Sequence, residues 1–190
     1  DFFGFPEPLY DFTYPALGAP KIAQNLHQNS ELFKLKNRGL DHGAYSVLTH
    51  LFPDADVPVF QMSIDRTKKE AYHYKLGRYL QELRHQGVMI IGSGGVTHNL
   101  NDFKRDTNAP IAPWAQQFDS YIKKALVDFE HQDLINYKNN LDDLAIHAHP
   151  SDEHYLPLLY IAGLQEPNDS LNFIHEGFMH STFSMRSFMI

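Results

Sequence analysis

Histidine is the residue type with the most chemistry to offer in this sequence. Of the 190 residues, 12 are His, and imidazole exchanges protons near neutral pH and binds divalent metals. One of them, His98, follows the glycine-rich residues 92–95 directly after an apolar run. Glycines let the backbone approach a ligand closely, so His98 is well placed to exchange a proton with a bound molecule. A phosphate-binding loop is the weaker interpretation, because the P-loop spacing and its lysine are absent.

A second candidate is His42, which lies between Gly39 and Gly43 and directly follows Asp41. Asp41 is typical of a helix N-cap, and the N-terminus of a helix disfavours imidazolium. A neutral His42 would suit a hydrogen-bonding or base role. A simple capping turn explains the same residues, and the spacing alone favours that alternative.

A third candidate is the histidine-rich stretch HAHPSDEH at residues 147–154. Iron(II), zinc and nickel all accept imidazole, so the stretch contains possible metal ligands. The zinc-protease pattern HExxH occurs nowhere in the chain. The alternative is a solvated turn in which Asp152 and Glu153 begin a helix.

These candidates need elements that position them, and the pattern of the sequence predicts an α/β fold. Apolar, β-branched runs at residues 57–64 and 88–91 flank an amphipathic helix at 67–86, which Gly87 ends. Strand, helix and strand in this order are typical of a parallel βαβ unit, whose strand ends carry ligand sites. We therefore expect one domain over residues 1–190, with a mixed central sheet flanked by helices and a site in the loop 92–99.

Helical spacing and caps predict several other helices. They lie at residues 22–28, 43–52, 113–129, 153–162 and 170–177. Residues 1–20 contain four prolines among aromatic residues, which predicts an extended segment. We expect residues 1–14 to form a loop near the mouth of the active site.

Composition excludes several classes of function. A formal charge of -7, from 16 basic and 23 acidic residues, argues against nucleic acid as a partner. The chain has no cysteine, which excludes thiolate zinc sites, iron–sulfur clusters and cysteine nucleophiles. No apolar run approaches the roughly 20 residues of a membrane span, so we expect a soluble cytoplasmic protein.

Several separated segments together resemble one known family. They are GLDHGAYSVLTHLFPDADVPVFQMSID, GSGGVTHNL, AHPSDEHYLPLLYIAG, HEGF and SMRSF. In this order they are similar to the class III extradiol ring-cleavage dioxygenases, in the bacterial 4,5-DOPA dioxygenase-like branch. The resemblance spans nearly the whole chain and implies a non-haem iron(II) enzyme that cleaves a catechol ring with O2.

The resemblance also implies roles for individual residues. His98 matches the acid–base histidine of the family, and His42 matches a histidine that contacts the substrate and oxygen. His154 matches the late metal ligand, with the neighbouring Glu153 as the alternative. His149 matches a His-Pro turn with a structural role.

Two further expectations come from the same match. The paired glycines Gly94 and Gly95 are expected to line the substrate site. The family takes its first two metal-ligating histidines from a region before the segment that matches residue 1, so we expect an N-terminal segment that is missing from this sequence to supply them. The alternatives are that another chain supplies them or that the protein does not bind iron.

Two other classes of function compete with the dioxygenase. Zinc is possible in the same site, and a zinc hydrolase would use the same imidazoles without consuming O2. A non-catalytic binding protein on the same fold is the other alternative. The sequence indicates neither the preferred catechol nor the oligomeric state.

Overall fold

The structure is a computed structural model that describes Glu7 and residues 10–190. The chain divides into two compact units, a first unit at Asp1–Ser63 and a second unit at Ile64–Ile190. The expected loop at residues 1–14 falls largely on residues 1–6, 8 and 9, which lie outside the described residues.

The first unit contains the helices α1, Pro20–Asn29, and α2, His42–Leu51. Residues 11–19, before α1, contain no helix, as the prolines predict, and Gly18 forms a parallel bridge with Val59. Asp41 caps α2, since its carboxylate accepts a hydrogen bond from the Ala44 amide at 3.2 Å. The predicted cap and helix start are therefore confirmed.

The second unit, which is described throughout, has helices followed by short strands. Its helices are α3 Glu70–His85, α4 Pro113–Val127, α5 His131–Ile135, α6 Tyr137–Leu141, α7 Asp143–Ala148 and α8 Leu156–Leu164. Two 3-10 turns lie at Leu100–Asp102 and Asp152–His154. The strands are β1 Asn172–His175, β2 Phe178–Met179, β3 Phe183–Ser184 and β4 Ser187–Met189.

Helices α3 and α8 pack backbone against backbone. A Cβ atom added at Gly77 would collide with the Tyr160 carbonyl oxygen, and one at Gly163 would collide with the Tyr74 carbonyl oxygen. Glycine at both contacts lets the helices approach this closely. Close packing here fixes α8, and with it the turn that carries His154 at its N-terminal end.

Helix α4 supplies the centre of the core. Its apolar positions recur at helical spacing, and the side chains of Phe118, Ile122 and Leu126 are completely buried. Tyr137 and Tyr155 pack beside them, with ring centroids 3.9 Å apart. This core lies directly beneath the loop that carries His98, because the Val96 side chain belongs to it.

The strands pair differently from the predicted βαβ unit. Among the described residues, ladders form only between β1 and β4 and between β2 and β3, and both are antiparallel. Residues 88–91 form no ladder, and Met89 is 67% exposed. An apolar pattern identifies chain suited to a strand, but a ladder also needs a second strand at the right distance. Helices with small sheets agree with the predicted α/β class.

Two predicted helices need correction. Residues 170–177, predicted as helical, contain strand β1, which pairs with β4 through Phe173 and Phe188. The helix predicted at 153–162 begins at Leu156, after the 3-10 turn. Pairing with a distant strand outweighed the local helical preference of residues 170–177. None of the helices in the described part of the chain is both long and apolar enough to span a membrane.

Candidate active site

The loop at residues 94–98 is held against the turn that carries His154. The Gly95 amide donates to the His154 carbonyl at 2.9 Å, and the His98 amide donates to the Ala148 carbonyl at 3.0 Å. A Cβ atom at Gly94 would collide with the same His154 carbonyl oxygen. Glycine at residue 94 is thus required by close packing, and the packing brings two distant histidines together.

His98 and His154 stack face to face. Their ring centroids are 3.5 Å apart and their planes differ by 12°. The ring of Phe183 lies parallel to that of His98, within 3°, at 5.9 Å between centroids. Burial lowers the pKa of His98, although the nearby Glu153 carboxylate opposes the shift. A neutral His98 can accept a proton at neutral pH.

Glu153 presents a negative charge next to this pair. Burial works against ionisation, but its backbone amide, the Ser151 hydroxyl and the Arg66 guanidinium together hold the pKa of Glu153 below its usual value. The Ser151 hydroxyl donates to one carboxylate oxygen at 2.9 Å, and Arg66 lies 3.6 Å from the other. Glu153 is therefore ionised at neutral pH.

The three imidazoles of residues 147–154 do not converge on one point. His147 is hydrogen-bonded to Asp102 at 2.7 Å on the surface, whereas His149 points inward and donates to the Val96 carbonyl at 2.7 Å. Of these three imidazoles, His154 is the one that stacks on His98. The spacing alone suggested a compact set of ligands, but successive side chains of a turn leave in different directions.

His149 supports the loop at residues 94–98 from behind, through Val96. Its side chain is 3% exposed and is surrounded by the rings of Phe118, Tyr137 and Tyr155. Burial lowers the pKa of His149 to about 4. The ring is thus neutral at physiological pH, with its proton on the nitrogen that faces Val96.

Acidification is expected to destabilise the protein through His149. The unfolded chain, with a pKa of 6.5, binds more protons than the folded chain, with a pKa of about 4. The stability from this site is therefore complete above about pH 6.5 and is lost as the pH falls towards 4, by about 2 kcal/mol at about pH 5. Urea unfolding across this range measures the loss.

His149→Gln keeps a donor for Val96 but cannot titrate, so its stability should depend less on pH than that of the wild type. The matched control is His85→Gln, which changes an exposed histidine at the end of α3. Equal pH dependence in the wild type and His149→Gln would contradict this assignment.

A cavity of about 230 Å³ opens beside the stacked histidines. It is lined by Gly94, Gly95, Thr97, His98, His154, Phe183, Ser184, Met185, Arg186 and Ser187. Ligand cavities are usually about 300–1,000 Å³, so this one suits a molecule of a single ring. A larger cavity of about 470 Å³ near Phe129 contains no imidazole, and its carboxylate, Asp169, is bound to Arg84 at 2.5 Å.

Residues 183–187 form one side of the cavity, the C-terminal wall. The sequence pattern did not identify this wall. Arg186 forms two hydrogen bonds with Asp119, at 2.9 and 2.5 Å, and both side chains are 5% exposed. The sequence signal that could have identified it is Asp119, an acidic residue on the apolar face of α4. An acid at such a position requires a buried partner.

His42 belongs to the first unit, where it is the first residue of α2. Gln61 fixes this helix start, because its side chain donates to the Asp41 carboxylate at 2.5 Å and accepts from the Asp41 amide at 3.0 Å. Burial lowers the pKa of His42, and the Asp41 charge opposes the shift. The predicted role of His42 at the catalytic centre stays a prediction.

Possible metal-binding side chains do not cluster in the described part of the chain. No group of three or more His, Asp or Glu side chains in Glu7 and residues 10–190 is arranged to hold a metal ion. His154 and Glu153 are donors of the types that iron(II) accepts.

The sequence matches a family of known enzymes. Residues 3–189 match the family described as the catalytic LigB subunit of aromatic ring-opening dioxygenase. Dioxygenases of this family are metal-dependent and act on aromatic substrates with O2. The match includes both stacked histidines and the whole wall of the cavity.

Two curated proteins show how close the relationship is. The 4,5-DOPA dioxygenase extradiol of Escherichia coli (strain K12) is 38% identical over 197 aligned positions, which cover 100% of this chain and 72% of the relative. The 4,5-DOPA dioxygenase extradiol of Beta vulgaris is 37% identical, and the alignment covers 99% of this chain and 72% of the relative.

A solved structure shares the fold. The crystal structure of the uncharacterized protein JW3007 from Escherichia coli K12 superposes with a TM-score of 0.85 at 36% identity, covering 95% of this chain and 76% of that protein. The sequence and the fold therefore agree, and the chain belongs to the LigB family of class III extradiol ring-cleavage dioxygenases.

Proposed function

We propose that the protein is an iron(II)-dependent extradiol dioxygenase that cleaves a DOPA-like catechol in the cavity beside His98 and His154. The observation that supports this most is the stacked pair of histidines at a cavity sized for one ring. The relatives are 4,5-DOPA dioxygenases, which indicates the substrate class.

His98 is the proposed acid–base residue. Its neutral imidazole accepts a proton from a catechol hydroxyl and later returns a proton to the ring-opened product. The carbon–carbon bond next to the two hydroxyl-bearing carbons breaks, and both atoms of O2 enter the product. O2 is reduced as the ring carbons are oxidised, so the reaction needs no other reductant.

The cavity wall is proposed to select a planar ring. Phe183 offers an aromatic face parallel to His98, and stacked aromatic rings attract each other at such separations. Gly94 and Gly95 line the same cavity. Because the cavity is short of the usual volume for larger ligands, we expect single-ring catechols to be preferred.

His154 is the proposed metal ligand, with Glu153 as the alternative. Both lie in the 3-10 turn before α8, which the packing of α3 on α8 holds in place. Bound iron(II) would supply a Lewis acid and a template for the catechol oxygens and O2, and zinc is the alternative metal for the same donors. His42 is proposed to contact the substrate and oxygen.

Oxygen uptake tests the proposal. The full-length protein, loaded with iron(II) and incubated with DOPA under labelled O2, should consume one O2 per DOPA and place both labelled atoms in the ring-opened product. Turnover without O2 would instead indicate a hydrolase. Absence of O2 uptake with DOPA and with simpler catechols would overturn the proposed function.

A further inference from the structure

Thr97 is the buried neighbour of His98 and forms two hydrogen bonds to the C-terminal wall. Its side chain is 2% exposed. The hydroxyl donates to the Thr182 carbonyl at 2.6 Å and accepts from the Ser184 amide at 2.8 Å. A hydroxyl that is both donor and acceptor thus holds the residues on either side of Phe183.

Phe183 is the residue that this hydroxyl places. Its ring lies parallel to His98 at 5.9 Å between centroids, and both rings line the same cavity. With Thr182 and Ser184 each bonded to Thr97, the backbone of Phe183 has little freedom to shift along the loop. The side chain of residue 97 therefore sets the spacing between Phe183 and His98.

The far side of this wall is fixed to helix α4. The Ser184 hydroxyl donates to the Asp119 carboxylate at 2.5 Å, and the same carboxylate receives two hydrogen bonds from Arg186. Arg186 also donates to Glu176 at 2.6 Å. A buried ion pair is tolerated only with such complete hydrogen bonding, which also makes its geometry specific.

This pairing argues against Arg186 as a substrate-binding cation. The guanidinium faces two carboxylates, Asp119 and Glu176, so its charge is already neutralised. The guanidinium carbon, Cζ, also lies 4.9 Å from the centre of the Phe173 ring. Arg186 therefore shapes the wall and leaves little positive charge for a ligand.

We infer that Thr97 is a positioning residue, whose hydroxyl couples the α4 scaffold to the ring of His98 by fixing Phe183. The inference rests on the proposed function for its effect on turnover. Displacing a catalytic group by a fraction of an ångström costs catalysis far more than it costs substrate binding.

Thr97→Val and Thr97→Ser separate the hydroxyl from the methyl group. Valine has the same shape without hydrogen bonds, and serine keeps the hydroxyl. Thr97→Val should lower kcat roughly ten- to a hundredfold with little change in KM. Thr97→Ser should recover most of kcat, and Thr107→Val, at an exposed threonine, is the matched control.

Imidazole NMR provides a readout that does not need activity. Stacking on Phe183 and His154 should shift the ring signals of His98, which are assigned by their loss in His98→Ala. Thr97→Val should move these signals towards unstacked values, whereas Thr97→Ser should retain them. If the wild type shows no ring cleavage, the proposed function fails while this spectroscopic test still decides the positioning role.

Three results would overturn the inference. They are wild-type kcat in folded Thr97→Val, equal losses in the valine and serine variants, and His98 signals that do not respond to Thr97→Val. Should Thr97→Val not fold, Phe183→Leu replaces it, because it keeps the hydrogen bonds of Thr97 but removes the ring. Unchanged kcat and unchanged His98 signals in Phe183→Leu would then reject the inference.

Discussion

Replacement of His98 by alanine is expected to lower turnover by about a hundred- to ten-thousand-fold. The reason is that His98 is a cavity imidazole whose pKa burial lowers, and it is the group that we propose to accept and return the proton. The metal content of the purified protein should not change, because His98 is not proposed as a ligand. Steady-state kinetics with DOPA and metal analysis of the same preparation make the two measurements.

The matched control is His85→Ala, which removes an exposed imidazole whose partner is Glu166. Its turnover and metal content should both equal those of the wild type. Loss of metal from His98→Ala would make His98 a ligand and would defeat its assignment as the acid–base residue. Retained turnover in His98→Ala would assign the proton transfer to another group.

In the full-length protein, replacement of His154 by alanine is expected to abolish metal binding and, with it, ring cleavage. Losing a ligand changes both the coordination number and the charge of the site, so the effect appears in metal stoichiometry and not only in rate. Glu153→Gln should retain most of the metal, since the carboxylate is engaged by Ser151 and Arg66. Metal analysis after dialysis against iron(II) compares the variants.

The opposite result is equally informative. Metal retained in His154→Ala but lost in Glu153→Gln would make the carboxylate the ligand. The control here is Asp152→Asn, in the same 3-10 turn, whose carboxylate is bound to Lys138 at 2.5 Å. Loss of metal from that variant as well would mean that the turn had been disrupted, and circular dichroism would reveal this.

Local interactions determine what the sequence predicted well. The start of α2 follows from Asp41, and the end of α3 follows from Gly87, which adopts a φ of 79° just beyond the helix. Helix α4 follows from Pro113 and from apolar residues at helical spacing. Helices close their hydrogen bonds within a few residues, so their signals lie in the sequence next to them.

Strand pairing was decided by the tertiary structure. Residues 88–91 have the composition of a buried strand but form no ladder in the described part of the chain, whereas residues 172–175 pair with β4 against a local helical pattern. The hydrogen bonds of a strand go to chain that is distant in sequence. Its composition therefore shows that a segment can be a strand and not where it will pair.

The candidate site also has features that the sequence determines and features that only the tertiary structure decides. The sequence by itself identified the two candidate histidines, His98 after its glycines and His154 after its acidic neighbours. Only the tertiary structure stacked these rings, turned His149 towards Val96, and paired Asp119 with Arg186 behind the cavity. Those contacts join residues 50 or more positions apart, and their geometry depends on how helices pack, which no local pattern encodes.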